Sequence, residues 1–228
     1  MKNILAMLVL LFAAACSLPA TKSRETGDTA AVHVDLIRGL LAQGQYYAAL
    51  AHIDDERQQS GDSDELRALR GDALASLGRT AEAEATYRSL LKGPQASEAY
   101  HGLGMLRVRT DPTAGISFLR AAVQQRPTSA EWRNDLGYAL MSLGRLQEAL
   151  TELATATELA PGEERYRNNL VILLILKKDE AGLVRLVKQW NVTPATLSEL
   201  RKRALSVPVR LAPPVARPTQ QAQNPVKH

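Results

Sequence analysis

The chain has 228 residues, 45% hydrophobic and 23% charged, enough apolar material for one folded core and too little for a polytopic membrane protein. Its formal charge of +4 arises from 28 basic and 24 acidic residues, and only 4% of residues are aromatic. That balance argues against a nucleic-acid-binding protein, which needs a concentrated basic patch or a stacking platform. A single cysteine excludes a disulfide framework and a cysteine-based zinc site.

That cysteine, Cys16, closes an export signal spanning 1–15. Lys2 supplies the positive start, Ile4 to Phe12 an apolar run, and Ala13, Ala14 and Ala15 the small residues of a cleavage site. The run is too short to span a bilayer, which takes about 20 apolar residues. Small residues leading into a cysteine resemble the lipobox of bacterial lipoproteins, although Ala13 stands where Leu is most often found. The resemblance implies that the Cys16 thiol carries a diacylglycerol and becomes the mature N-terminus. It also implies an outer-membrane address on its periplasmic face, because Ser17 rather than Asp follows the cysteine. Cleavage after the same alanines by the ordinary peptidase, with Cys16 a spare thiol, is the alternative.

Residues 16–31 are mostly small or polar, include Pro19 and Gly27, and are expected to form a flexible tether. From residue 32 to 203 the sequence is periodic. Gly71, Gly104 and Gly137 lie 33 residues apart; Pro94, Pro127 and Pro161 keep nearly the same interval; Ala49, Ala83, Gly115 and Ala149 form a third track. Three tracks of one period indicate an array of helix hairpins. The small residues allow close helix crossing, Gly44, Gly78 and Gly144 end first helices, and the prolines follow second helices. A last helix near Pro194 to Arg203 is expected to close the array. Residues 204–228 carry five prolines and no acidic residue and are expected to be a disordered basic tail, with Val207 to Leu211 apolar enough to fold back.

The stretch "WRNDLGYALMSLGRLQEALTELATATELAP" resembles the tetratricopeptide repeat, as do its neighbours "LRALRGDALASLGRTAEAEATYRSLLKGP" and "YHGLGMLRVRTDPTAGISFLRAAVQQRP". Weaker units flank them at Leu36 to Asp54 and Arg167 to Val187. Three departures stand out: Arg70 at an apolar place, a stiff turn at Thr110, Asp111 and Pro112, and Lys178 where glycine is usual. The resemblance implies an all-α solenoid, a right-handed superhelix whose first helices line a concave peptide groove. Projection of those helices places His101, Met105, Asn134, Tyr138, Met141 and Asn168 in the groove, with Ile172 and Ile175 read as core. Met and Tyr suit adaptable recognition of an amphipathic segment. Relatives that clamp a carboxylate add Lys or Arg to such asparagines; none accompanies Asn134 and Asn168 in this projected set, so a clamp is not expected.

No catalytic, metal or cofactor site emerges from the sequence. His33, His52, His101 and His228 lack partners at ligand spacing, and neither a phosphate loop nor a Gly-x-Ser-x-Gly elbow is present. The layout of lipobox, tether, repeats with "DLGYALMSLGR" and a last unit opened by "NNL" resembles the tight adherence (Tad/Flp) pilus assembly lipoproteins. Type IV pilus pilotins share this architecture. The resemblance implies a scaffold, not an enzyme, that binds a secretin or another pilus component. An envelope adaptor regulating peptidoglycan enzymes is the alternative.

Overall fold

The computed structural model describes residues 22–207, with side chains from residue 31 onward. The export signal, Cys16, the start of the tether and the proline-rich tail lie outside the described residues. Eleven helices occupy the described part: α1 (Lys22–Ala42), α2 (Tyr46–Ser60), α3 (Asp64–Ser76), α4 (Thr80–Leu90), α5 (Ala96–Arg107), α6 (Pro112–Gln125), α7 (Ala130–Ser142), α8 (Leu146–Leu159), α9 (Glu164–Lys177), α10 (Glu180–Gln189) and α11 (Pro194–Ser206). Consecutive helices pair as five hairpins, each hairpin packs on the next, and α11 closes the stack against α9. Among the described residues no helix is long and apolar enough to cross a membrane.

Local chemistry sets the boundaries. Ser63, Ser129 and Thr193 accept hydrogen bonds from the backbone N–H of Leu66, Trp132 and Thr196, satisfying donors that α3, α7 and α11 would leave orphaned. Gly44, Gly78 and Gly144 end α1, α3 and α7 at φ of 73°, 74° and 70°, a left-handed conformation that glycine adopts without a Cβ penalty. Lys178 makes the same turn after α9 at φ 56°. The α5–α6 turn differs: Asp111 caps α6 through the Ala114 N–H and Pro112 occupies the first turn, so no left-handed residue is needed. In that tighter hairpin a Cβ on Gly115 would lie 2.5 Å from the Val108 nitrogen, so glycine replaces the alanine of the other units.

The glycine track has a packing cause. A Cβ at Gly71, Gly104 or Gly137 would come within 2.5 to 2.6 Å of Tyr87, Leu119 or Leu153, the large side chain that the second helix of the same hairpin inserts. Ala49, Ala83 and Ala149 are fully buried where the helices of a hairpin cross. The core therefore runs as a chain of apolar clusters through the stack, the largest spanning α6 to α11. In α9 the buried residues Leu170 to Leu174 run continuously rather than on one stripe, because helices cover it on several sides.

Two boundaries differ from expectation. Helix α1 begins at Lys22, inside the segment read as tether. The apolar period fails there, yet a helix already nucleated by packing further along extends through residues of adequate propensity. Helix α11 runs past Arg203 to Ser206, so Ala204, Leu205 and Ser206, read as the start of the tail, are helical, and Ala204 is buried in the core.

Candidate functional site

The inner wall of the array is built mainly from the first helices of successive hairpins. Between α5 and α9 it opens into a cavity of about 680 Å³. Met105 and Val108 near the end of α5, Leu119 of α6, Tyr138 and Ala139 of α7, and Leu143 just after α7 supply its apolar lining. Met105 and Tyr138 remain 44% and 41% exposed, and of the large exposed hydrophobic residues among those described they are the two that line this cavity.

Polar groups are fixed around this floor. Asn134, 2% exposed, accepts at Oδ1 a hydrogen bond from Asn169 Nδ2 at 2.8 Å, joining α7 to α9 inside the stack. Its own Nδ2 donates to Asp135 Oδ1 at 3.3 Å. Asp135 Oδ2 meets His101 Nε2 at 3.0 Å, and the guanidinium of Arg165 approaches Oδ1 at 3.8 Å. The His101 ring stacks on Trp132 with centroids 5.2 Å apart, and the Arg126 guanidinium sits 4.5 Å from the same indole centroid. Arg109, Arg165 and Arg203 complete the cavity wall from the α5–α6 turn, α9 and α11.

Three of the groove residues expected from the sequence, Met105, Asn134 and Tyr138, line this cavity. His101 sits behind Asp135 as its hydrogen-bond partner. Met141 is a correction: it is fully buried, because its side of α7 packs into the large apolar cluster that runs from α6 to α11. Asn168 is a second correction, since its amide bonds Glu164 of its own helix at 3.3 Å while Asn169 takes the place beside Asn134. Ile172 is core as expected. The three arginines lay outside the helical faces projected from the sequence. Arg109 follows a helix end and Arg203 belongs to the closing helix, so no repeat period points to either.

Two tetratricopeptide repeat models match the chain, over residues 34–100 and 109–170. The chain belongs to the tetratricopeptide repeat family. A tetratricopeptide relative, TPR repeat-containing protein PA4299 of Pseudomonas aeruginosa, is 33% identical over 189 residues, covering 82% of this chain and 76% of the relative. Among solved structures, the thermophilic tetratricopeptide protein TTC0263 of Thermus thermophilus has a TM-score of 0.60 at 19% identity, covering 78% of this chain and 98% of that one. YrrB, described as a TPR protein with an unusual peptide-binding site, has a TM-score of 0.53 at 21% identity, with coverage of 82% and 97%. MamA of Desulfovibrio magneticus has a TM-score of 0.55 at 22% identity, with coverage of 78% and 98%. At these identities the structures share the tetratricopeptide fold, a scaffold suited to protein–protein interaction.

Proposed function

We propose that this protein is a lipid-anchored scaffold on the periplasmic face of the outer membrane that binds a secretin or another component of a Tad/Flp-type pilus and assists its assembly. The observation that carries the binding role is the open groove, in which exposed Met105 and Tyr138 sit over a rigid, hydrogen-bonded wall. An apolar floor with fixed polar groups is the kind of surface that captures an amphipathic segment. The lipobox-like run ending in Cys16 and the resemblance of layout to pilus assembly lipoproteins support the location and the system. Acyl chains, at about 0.8 kcal/mol per buried methylene, hold a protein on a membrane without a spanning helix. Confinement near the membrane raises the effective concentration of a membrane-bound partner.

A photo-crosslinking residue at Tyr138 in living cells, with the attached protein identified by mass spectrometry, tests the reading. A secretin or pilus component is the expected adduct; cell-wall enzymes at that position would instead favour the adaptor role. The anchor is tested separately by Cys16→Ser, which is expected to move the protein from the membrane to the soluble periplasmic fraction. Membrane association that survives both this change and a high-salt wash would refute the lipid.

A further inference from the structure

We infer that the groove receives an acidic, apolar-rich peptide segment whose carboxylates are read by Arg109 and Arg203. This deepens the binding role proposed above and rests on it. Many arginines elsewhere in the array are paired with carboxylates, among them Arg107 with Glu84 at 2.5 Å, Arg133 with Glu152 at 2.7 Å and Arg145 with Glu148 at 2.7 Å; Arg70, Arg167, Arg185 and Arg201 are not paired among the described residues, but none of these four lines the cavity. Arg109 and Arg203 come from distant parts of the chain to the same cavity, and neither has a carboxylate within 4 Å among the described residues. Asp135 is the one carboxylate among the lining residues, and His101, Asn134 and Arg165 already engage it. The wall thus keeps an excess of positive charge above an apolar floor.

A guanidinium offers planar, paired donors that match a carboxylate, and it does so most strongly where apolar neighbours exclude water. Met105 and Tyr138 supply that apolar surface. Charge also selects among the occupants. Residues 208–228 of this chain contain Arg210, Arg217 and Lys227 and no Asp or Glu, so the tail meets like charge in the groove. A second copy of a chain with formal charge +4 is likewise a poor complement. An acidic partner segment satisfies both features of the surface.

The test uses the full chain in mild detergent and a fluorescein-labelled amphipathic peptide of about 15 Glu and Leu residues, with fluorescence anisotropy as readout. Binding is expected, weakening about tenfold or more in the double variant Arg109→Ala/Arg203→Ala and on raising salt from about 50 to about 300 mM. The same peptide with Gln for Glu is expected to bind about tenfold more weakly, and a peptide of residues 208–228 should not displace the acidic one. The thermal unfolding midpoint of the double variant should match that of the parent, since both side chains are exposed. Equal binding of the Gln peptide, indifference of the double variant, displacement by the tail peptide, or no acidic binding at about 100 μM would each overturn the inference. So would self-association of the chain that the double variant abolishes. A pilus component crosslinked at Tyr138 without acidic preference would remove this inference alone; acidic preference with another crosslinked protein would remove the pilus reading alone.

Discussion

Tyr87 donates its hydroxyl hydrogen to Asp72 Oδ1 at 2.7 Å while its ring fills the space that side chains at Gly71 and Gly102 would need. One residue of α4 thus fastens two first helices, α3 of its own hairpin and α5 of the next. Burial, with the Asp72 carboxylate beside it, pushes the Tyr87 phenol upward, so the hydroxyl remains a donor throughout the working range.

Gly102→Ala is expected to cost about 1–3 kcal/mol, because the new methyl would lie 2.3 Å from the ring carbon Cζ in a packed interface. The cost should be much smaller in a Tyr87→Leu background, where the ring is gone. Urea unfolding of the two single variants and the double variant measures this coupling, and strictly additive costs would contradict the wedge. Tyr87→Phe, which removes only the hydrogen bond, should cost about 1 kcal/mol.

Glu84 carries a pH-dependent tie between hairpins. Its hydrogen bond from Arg107, seconded by Arg88, holds the carboxyl below the ordinary value of 4.5. A depressed carboxyl stabilises the fold above the unfolded-state pKa, and that stabilisation disappears as pH falls through the folded-state value. Glu84→Gln should therefore cost about 0.5–1 kcal/mol near neutrality, a discounted figure for a pair reached by solvent, and progressively less below about pH 4.5. Denaturation at several pH values checks the sign; a difference that grows on acidification would contradict it.

Asn134 and Asn169 satisfy one another inside the stack. Asn169→Ala leaves the Asn134 carbonyl without its donor and is expected to cost about 1–3 kcal/mol by chemical denaturation. Replacing both by Leu removes the unsatisfied group together with the bond and should cost less than the single change.

Lys178 holds a left-handed turn at φ 56° that glycine makes at three other hairpins. Lys178→Gly should raise stability by about 1 kcal/mol, the penalty that an L residue carries in that region. A lowered melting temperature would show instead that the lysine side chain contributes more than the strain it bears.

The repeat architecture was legible because its causes are short-range and recurrent. Glycine at 33-residue intervals reports the insertion of Tyr87, Leu119 and Leu153, and the turn glycines report positive φ. Met105 and Tyr138 were legible as groove residues because a helical face is fixed by spacing alone. What spacing does not reveal is which neighbour covers a face, and Met141 was misplaced for that reason. The choice between Asn168 and Asn169 depends on the length of the intervening hairpin and loop, which departs from strict periodicity. Arg109 and Arg203 meet only because the stack brings the α5–α6 turn and the closing helix to one place, a long-range outcome with no signal in either segment.

The double glycine contact of Tyr87 bears on how such an array can be rearranged. At the places in α3 and α7 corresponding to Gly102 stand Leu69 and Asp135, and Leu119 and Leu153 take the role of the tyrosine in later hairpins. A hairpin bearing Tyr87 can therefore be followed only by one whose first helix carries that extra glycine. Copying, deleting or exchanging a single unit at this joint would bring a ring against a side chain. These two hairpins are expected to travel through gene duplication and recombination as an inseparable pair, while the α7–α8 hairpin has no such restriction from its own Leu153.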